Sequence, residues 1–337
     1  MNYFLSQDGV PVEKPSNQNF TYFFRDPQGA WYPTTGNLIY EIDAICVQVH
    51  DALAAKLFAG LDNYYSFLRQ APEYLLTAGL NSESLVSKEV FGTFVGKRED
   101  NREFNRALYL YDCQKLVSGI QECSKEVMQL QGEFYRTLNL DELFFPPIEE
   151  PDGIRYVTSP AVTNLHAILA FIYIRLHSLL DYVTKLSIEI KHLKSDFSSY
   201  PRLASKNALY SDRKKVAFND AKGTLFEQCR FLTEVESVRN HVIHDGLLDD
   251  LPKAYKVVSG GKCVEKFILF PDRSIEGRFA AFKNRTLFYS AEDKINLRLP
   301  TVINEFQQRE LATLRRLLTH LQAGDIAPQP ATEPSNE

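Results

Sequence analysis

Between residues 37 and 70 the apolar positions Leu38, Ile42, Ile45, Val49, Leu53, Leu57, Leu61, Tyr64 and Leu68 return every three or four residues. An α-helix turns once in about 3.6 residues, so these positions share one face and predict a long amphipathic helix, bent at Gly60. The same period runs from Asn101 to Leu140 through Leu108, Leu116, Ile120, Cys123, Val127, Leu130, Phe134 and Leu138. The most regular stripe follows: Leu165, Ile168, Ile172, Leu176, Leu179, Val183, Leu186, Ile190 and Leu193. Ser159-Pro160 ahead of it supplies a capping hydroxyl and a proline for the first helical position, so this segment is expected to be the central helix of a bundle. A fourth helix is expected from about Asp220 to His244, ended by Asp245-Gly246, where glycine suits the left-handed C-terminal position. Thr301 to Gln322 closes the chain's periodic part, with Val302, Phe306, Leu314, Leu317 and Leu321 on one stripe.

The remaining segments lack that period. Residues 1–36 mix turn formers with aromatics and read as an irregular arm pinned by Phe23, Phe24, Trp31 and Tyr32. Ala71 to Asp100 is poorly patterned, and Asp196 to Asn219 is a polar connection carrying Arg213-Lys214-Lys215. Tyr255–Val258 and Cys263–Phe270 flank Gly260-Gly261 as a hairpin would, with Arg285–Tyr289 as a third strand. Phe144-Phe-Pro-Pro-Ile-Glu-Glu-Pro151 breaks the second long helix and marks a boundary. The expected organisation is mainly α. It has a helical region over 1–150, a helical domain over 151–324 with a β-insertion at about 254–290, and a disordered, proline-bearing tail over 325–337.

Composition narrows the function classes. Across 337 residues, 44% are hydrophobic and 24% charged, which suits a packed globular chain. Lys+Arg 38 against Asp+Glu 43 leaves a net charge of −5, which excludes binding of nucleic acid by bulk charge but not a local basic cleft. Cys46, Cys113, Cys123, Cys229 and Cys263 are widely spaced without a C-x-x-C pair, so free thiols in a reducing compartment are expected. The first residues lack a basic segment followed by an apolar one, and the apolar run Ala167–Leu180 is interrupted by Arg175 and His177. A cytoplasmic protein without a membrane span is expected.

The chemistry concentrates in Glu234-Val-Glu-Ser-Val-Arg239-Asn240-His241-Val-Ile-His244-Asp245-Gly246. Arg239 and His244 lie about 7.5 Å apart along the helix and about 140° apart around it. Asn240 and His244, four residues apart, share a face, so the amide is expected to orient the imidazole. The last turn carries the negative end of the helix dipole, which favours positive charge on a histidine there. An imidazole to move a proton and a guanidinium to neutralise phosphoryl oxygens suit phosphodiester chemistry. The same residue types also serve as helix C-caps, which is the structural alternative.

Arg239-Asn240-x-x-x-His244, late in a helical bundle, resembles the signature of the HEPN superfamily: an arginine, a polar residue, and a histidine after four intervening residues. The resemblance covers roughly residues 160–322. It implies a HEPN-like bundle that dimerises through its motif helices, here with an N-terminal helical extension and a β-hairpin insertion between Gly246 and Pro300. It further implies a metal-independent endoribonuclease that uses the substrate's own 2′-hydroxyl and leaves a 2′,3′-cyclic phosphate, or else a non-catalytic RNA-, nucleotide- or protein-binding module. On that basis Arg239, His244 and Asn240 are the expected catalytic residues, without metal or cofactor. Single-stranded RNA is the expected substrate, a homodimer the expected assembly, and a neutralising antitoxin or phage-defence partner the implied setting.

Further residues have a weaker claim. Asp181, with His177 one turn before it, and Glu236, one turn before Asn240, are placed to orient Arg239; His241 is secondary. Arg213, Lys214 and Lys215 are candidate RNA-phosphate contacts, although such a cluster is more often a solvated loop. His244-Asp245 is also the doublet of HD-type metal phosphohydrolases, which would have to recruit His177, His192 or His320. Gly92-Thr-Phe-Val-Gly96-Lys97-Arg98 falls one residue short of a P-loop and lacks its hydroxyl residue.

Overall fold

The computed structural model describes residues 3–144, 151–216 and 220–323. The chain is mainly α-helical. Three short antiparallel strands, β1 (Leu5–Ser6), β2 (Tyr22–Arg25) and β3 (Trp31–Pro33), open it in the order β1-β2-β3. The irregular arm expected here is therefore a small sheet. Phe23 and Trp31 are buried as anchors, whereas Phe24 is exposed.

Helix α1 (Ile39–Phe58) stops at Ala59, which adopts a left-handed conformation, and Gly60 follows at φ 131°. Helix α2 (Leu61–Leu68) leaves at 86° to α1, so the bend expected at Gly60 is a full break. The weakly patterned stretch holds two short helices, α3 (Glu73–Leu76) and α4 (Lys88–Gly96). Gly92 and Gly96 lie within α4, a helix and not a phosphate-cradling loop. Helix α5 (Arg102–Leu140) begins where the Asn101 side chain accepts from the Phe104 N–H at 3.0 Å.

Strand β4 (Gly153–Val157) leads into α6 (Pro160–Lys191), whose Ser159 cap accepts from the Val162 N–H at 3.2 Å. β4 pairs with β5 (Ala254–Ser259), and β5 with β6 (Lys262–Phe267), all antiparallel. The Gly260-Gly261 hairpin forms as expected. Its third strand is β4, however, and Arg285–Tyr289 contributes only an isolated bridge from Arg285 to Phe282. Pairing with a strand more than ninety residues earlier leaves no local trace in the sequence.

Helix α7 (Arg230–His244) begins ten residues later than expected. The Asp220 side chain accepts from the Lys222 N–H at 2.9 Å, and Gly223 adopts φ 72°, so this stretch turns instead of coiling. Helix α8 (Ile295–Gln322) begins six residues earlier than Thr301 and contains Pro300. Proline cannot donate to the carbonyl four residues back, that of Asn296. The Tyr135 hydroxyl of α5 donates to that carbonyl instead, so the helix passes through its proline without an orphaned acceptor.

Helices α5 and α6 pack along each other, α1 lies against α5 and α8, and α7 lies against α6. One apolar cluster runs from Leu5 to Leu321, through both sides of the boundary expected near Pro151. That boundary falls partly on residues 145–150, and the tail over 325–337 falls wholly outside the described residues. The most apolar 18-residue window of α6 has a mean hydropathy of 1.3, so the helix is long and apolar enough to cross a bilayer, contrary to the estimate from Ala167–Leu180 alone. Half of that window is buried inside the protein, the placement of a core helix.

Candidate functional site

The motif helix α7 is held at both ends. Toward its start, Glu234 is buried and accepts from Arg298 Nη1 at 2.7 Å and from the Tyr173 hydroxyl at 3.2 Å, and it pairs with Arg273. Asp293 completes the group, with Arg273 and Arg298 both against it. Burial works against the charge on Arg298, but Tyr173, Glu234 and Asp293 outweigh it and raise its pKa above the ordinary arginine value. A carboxylate buried with two guanidiniums is costly to break, by several kcal/mol, so the helix is pinned in position and rotation. No sequence motif marks this cluster, because its members come from four separate segments.

Toward its end, α7 stops where the Asp245 and Gly246 N–H groups both bond the His241 carbonyl, at 2.8 and 3.0 Å, with Gly246 at φ 119°. His241 is buried. Its Nε2 donates to the Leu247 carbonyl at 2.9 Å, and its Nδ1 stands 3.7 Å from Asp245. Phe279 meets its ring edge-on at 5.0 Å, and the Tyr289 hydroxyl donates to the Leu248 carbonyl at 2.6 Å. The segment beyond β6 therefore buttresses the C-terminal half of the motif helix.

Three residues on, His244 is exposed, as are Asn240 and Asp245, and Arg239 is half-buried. Arg239 Nη1 donates to Asn240 Oδ1 at 2.9 Å. The amide thus holds the guanidinium and not the imidazole, and among the described residues the expected Asn240–His244 contact is not made. A neighbouring arginine with five donors competes better for one amide oxygen than an imidazole a full turn away. Around the motif, Ile243, Leu247 and Leu251 are 49%, 56% and 57% exposed.

Asp181 and Glu236 do not reach Arg239. Asp181 Oδ1 accepts from the Tyr210 N–H at 2.7 Å, and His177 Nδ1 lies 3.6 Å from its other oxygen. Burial opposes ionisation of Asp181, but the His177 contact and the Tyr210 N–H outweigh it and leave its pKa below the usual carboxylate value. Both residues fasten the 3-10 turn over Tyr210–Lys215 to α6. From that turn Arg213 lies over the Tyr210 ring at 4.2 Å and stands 3.7 Å from Glu236. Glu236 therefore draws the basic cluster toward the motif helix, a role the sequence did not suggest. Lys215 pairs with Asp212 at 2.7 Å, and Lys214 is exposed. Among the described residues no three His, Cys, Asp or Glu side chains come together as a metal site would require, so His244-Asp245 does not gather His177, His192 or His320.

Comparison with known proteins returns nothing: no family model matches the chain, and neither a curated protein nor a solved structure is significantly similar to it.

Proposed function

We propose that the protein is a metal-independent endoribonuclease of HEPN type, with α5 to α8 as its bundle and α7 as the motif helix. The observation that carries this reading is a division of labour between two histidines. His241 takes the capping task at the end of α7, which leaves the exposed His244 without a structural duty. Arg239, one and a half turns away, is oriented by Asn240. The exposed Ile243, Leu247 and Leu251 beside the motif favour a second copy as the other wall of the site.

In such a homodimer, two copies of Arg239 and His244 face one phosphodiester of single-stranded RNA. One His244 takes the proton of the 2′-hydroxyl, and the 2′-oxygen attacks phosphorus. The partner's histidine protonates the departing 5′-oxygen, leaving a 2′,3′-cyclic phosphate and a 5′-hydroxyl. Arg239 binds the non-bridging oxygens as charge builds on them. Arg213, which Glu236 draws toward α7, contacts a neighbouring phosphate in this reading. An unpaired strand is required because in-line attack demands a backbone free to leave A-form geometry.

The test is cleavage of single-stranded RNA in excess chelator, with product ends mapped. His244→Ala is expected to lower the rate about 10²–10⁴-fold, the usual worth of a positioned proton donor or acceptor, and Arg239→Ala to lower it comparably. Cleavage that survives both substitutions removes the motif from the mechanism. RNA binding without cleavage in the wild type identifies an RNA-binding module instead.

A further inference from the structure

A cleft of about 590 Å³ lies between the β2–β3 hairpin and helices α5 and α6, well away from the residues of the motif in sequence and lined by none of them. A second hollow of about 550 Å³ shares Tyr3, Arg25, Gly29 and Trp31 with it. Volumes of this size suit a small organic ligand.

The hairpin reaches α5 because Gly132 lets the Trp31 backbone approach: a Cβ there would stand 2.2 Å from the Trp31 carbonyl oxygen. Trp31 is only 8% exposed and lines both hollows. Tyr3 lies beside it with ring centroids 5.9 Å apart, and Phe171 of α6 lines the cleft as an exposed ring. Arg175 fixes that wall, lying over Phe171 at 4.8 Å while its Nη2 donates to Glu126 at 3.3 Å.

The charges lining the cleft, Arg25 and Arg136 against Glu126 and Glu133, balance in number but not in pairing. Glu126 is matched by Arg175, and Glu133 by Arg136, which also pairs with Asp141 at 2.8 Å. Arg25 Nε donates to the Gly29 carbonyl at 3.2 Å, and among the described residues Arg25 forms no ion pair. Arg25 is thus the lining guanidinium outside any ion pair among the described residues, beside three aromatic rings, and the exposed Gln129 amide adds a donor and an acceptor.

We propose that this cleft binds a small ligand with a flat ring and an anionic group, specifically a nucleoside monophosphate. The base stacks among Tyr3, Trp31 and Phe171, its polar edge meets the Trp31 N–H or Gln129, and the phosphate meets Arg25. The proposal is independent of the ribonuclease reading, since no motif residue takes part.

Trp31 is the chain's single tryptophan, so its emission reports on the cleft and the adjoining hollow and on no other part of the chain. Titration with AMP, GMP, CMP and UMP is expected to change that emission saturably, with calorimetry giving the same Kd for the tightest of them. The matching nucleoside and inorganic phosphate are each expected to bind more weakly. Arg25→Ala should weaken the nucleotide about tenfold, the loss of one charge-assisted contact, and leave the nucleoside unchanged. Phe171→Ala, at an exposed position, should weaken both, and His244→Ala neither. No saturable binding of any of the four at millimolar concentration overturns the proposal. So does a nucleotide that binds no better than its nucleoside, or a loss of binding in His244→Ala.

Discussion

His241 donates its Nε2 proton to the Leu247 carbonyl at 2.9 Å, while His244, three residues further on, is exposed. The two histidines should therefore separate stability from activity. His241→Ala removes a partly buried hydrogen bond and an aromatic contact and leaves the Leu247 carbonyl without that donor, a cost of about 1–3 kcal/mol. His244→Ala should stay within about 0.5 kcal/mol of the wild type, as exposed substitutions do. Denaturant unfolding of both variants checks this: equal destabilisation would mean that His244 also supports the fold.

The exposed apolar residues beside the motif carry the assembly expectation. Leu247→Asp with Leu251→Asp should convert a dimer at micromolar concentration to a monomer by light scattering, with little change in melting temperature. RNA cleavage should fall together with the dimer, because each monomer would retain only half the site. A wild type that is monomeric throughout that range rejects the composite site.

Glu310 gives a pH signature. It is fully buried in α8, accepting from the Ser124 hydroxyl at 2.7 Å. Burial pushes its carboxyl up from 4.5 to about 8, against the smaller opposing pull of that hydrogen bond. The folded chain thus keeps a proton that the unfolded chain releases near pH 4.5. The stabilising contribution is complete below that pH and is lost as pH rises to about 8. The loss approaches about 1.4 kcal/mol per pH unit inside the window. Glu310→Gln keeps an acceptor for Ser124 without the titration. Its melting temperature should gain on the wild type steadily from pH 5 to 8, and a constant difference would refute the assignment.

Tyr135 and Pro300 should be energetically coupled through the Asn296 carbonyl. Tyr135→Phe strands that buried acceptor and should cost about 1–3 kcal/mol. Pro300→Ala restores a backbone N–H four residues along the helix, so the double variant should recover part of the loss. A double-mutant cycle measures the coupling, and simple additivity would show that the hydroxyl does not substitute for the missing N–H.

Two helical glycines should respond with opposite sign. Gly132→Ala drives a Cβ into the Trp31 carbonyl and should destabilise the protein, loosening the hairpin. Gly92 in α4 has nothing within 4 Å of the same position, so Gly92→Ala should stabilise by about 0.5–1 kcal/mol. Thermal melts of the two variants settle the contrast.

The amino-acid pattern alone determined the two longest helices. Ser159-Pro160 and the stripe from Leu165 to Ile190 specify α6, and Asn101 with its following stripe specifies α5, because caps and a 3.6-residue period are local properties of the chain. The place where α7 ends was equally legible, since Gly246 takes the positive φ that a glycine allows without cost. The Arg239-Asn240-His244 sequence was legible as a motif, but its internal contacts were not. Whether Asn240 serves Arg239 or His244, and whether His241 or His244 caps the helix, depends on side-chain geometry that spacing leaves open. The tertiary structure alone decided the rest. β4 joins a hairpin a hundred residues away, and Tyr135 rescues the carbonyl that Pro300 orphans. Glu234 gathers Arg273, Arg298 and Asp293, and Gly132 admits Trp31 to α5. Each of these links residues far apart in the chain, where complementarity exists only after the helices have packed, so no local period or propensity encodes it.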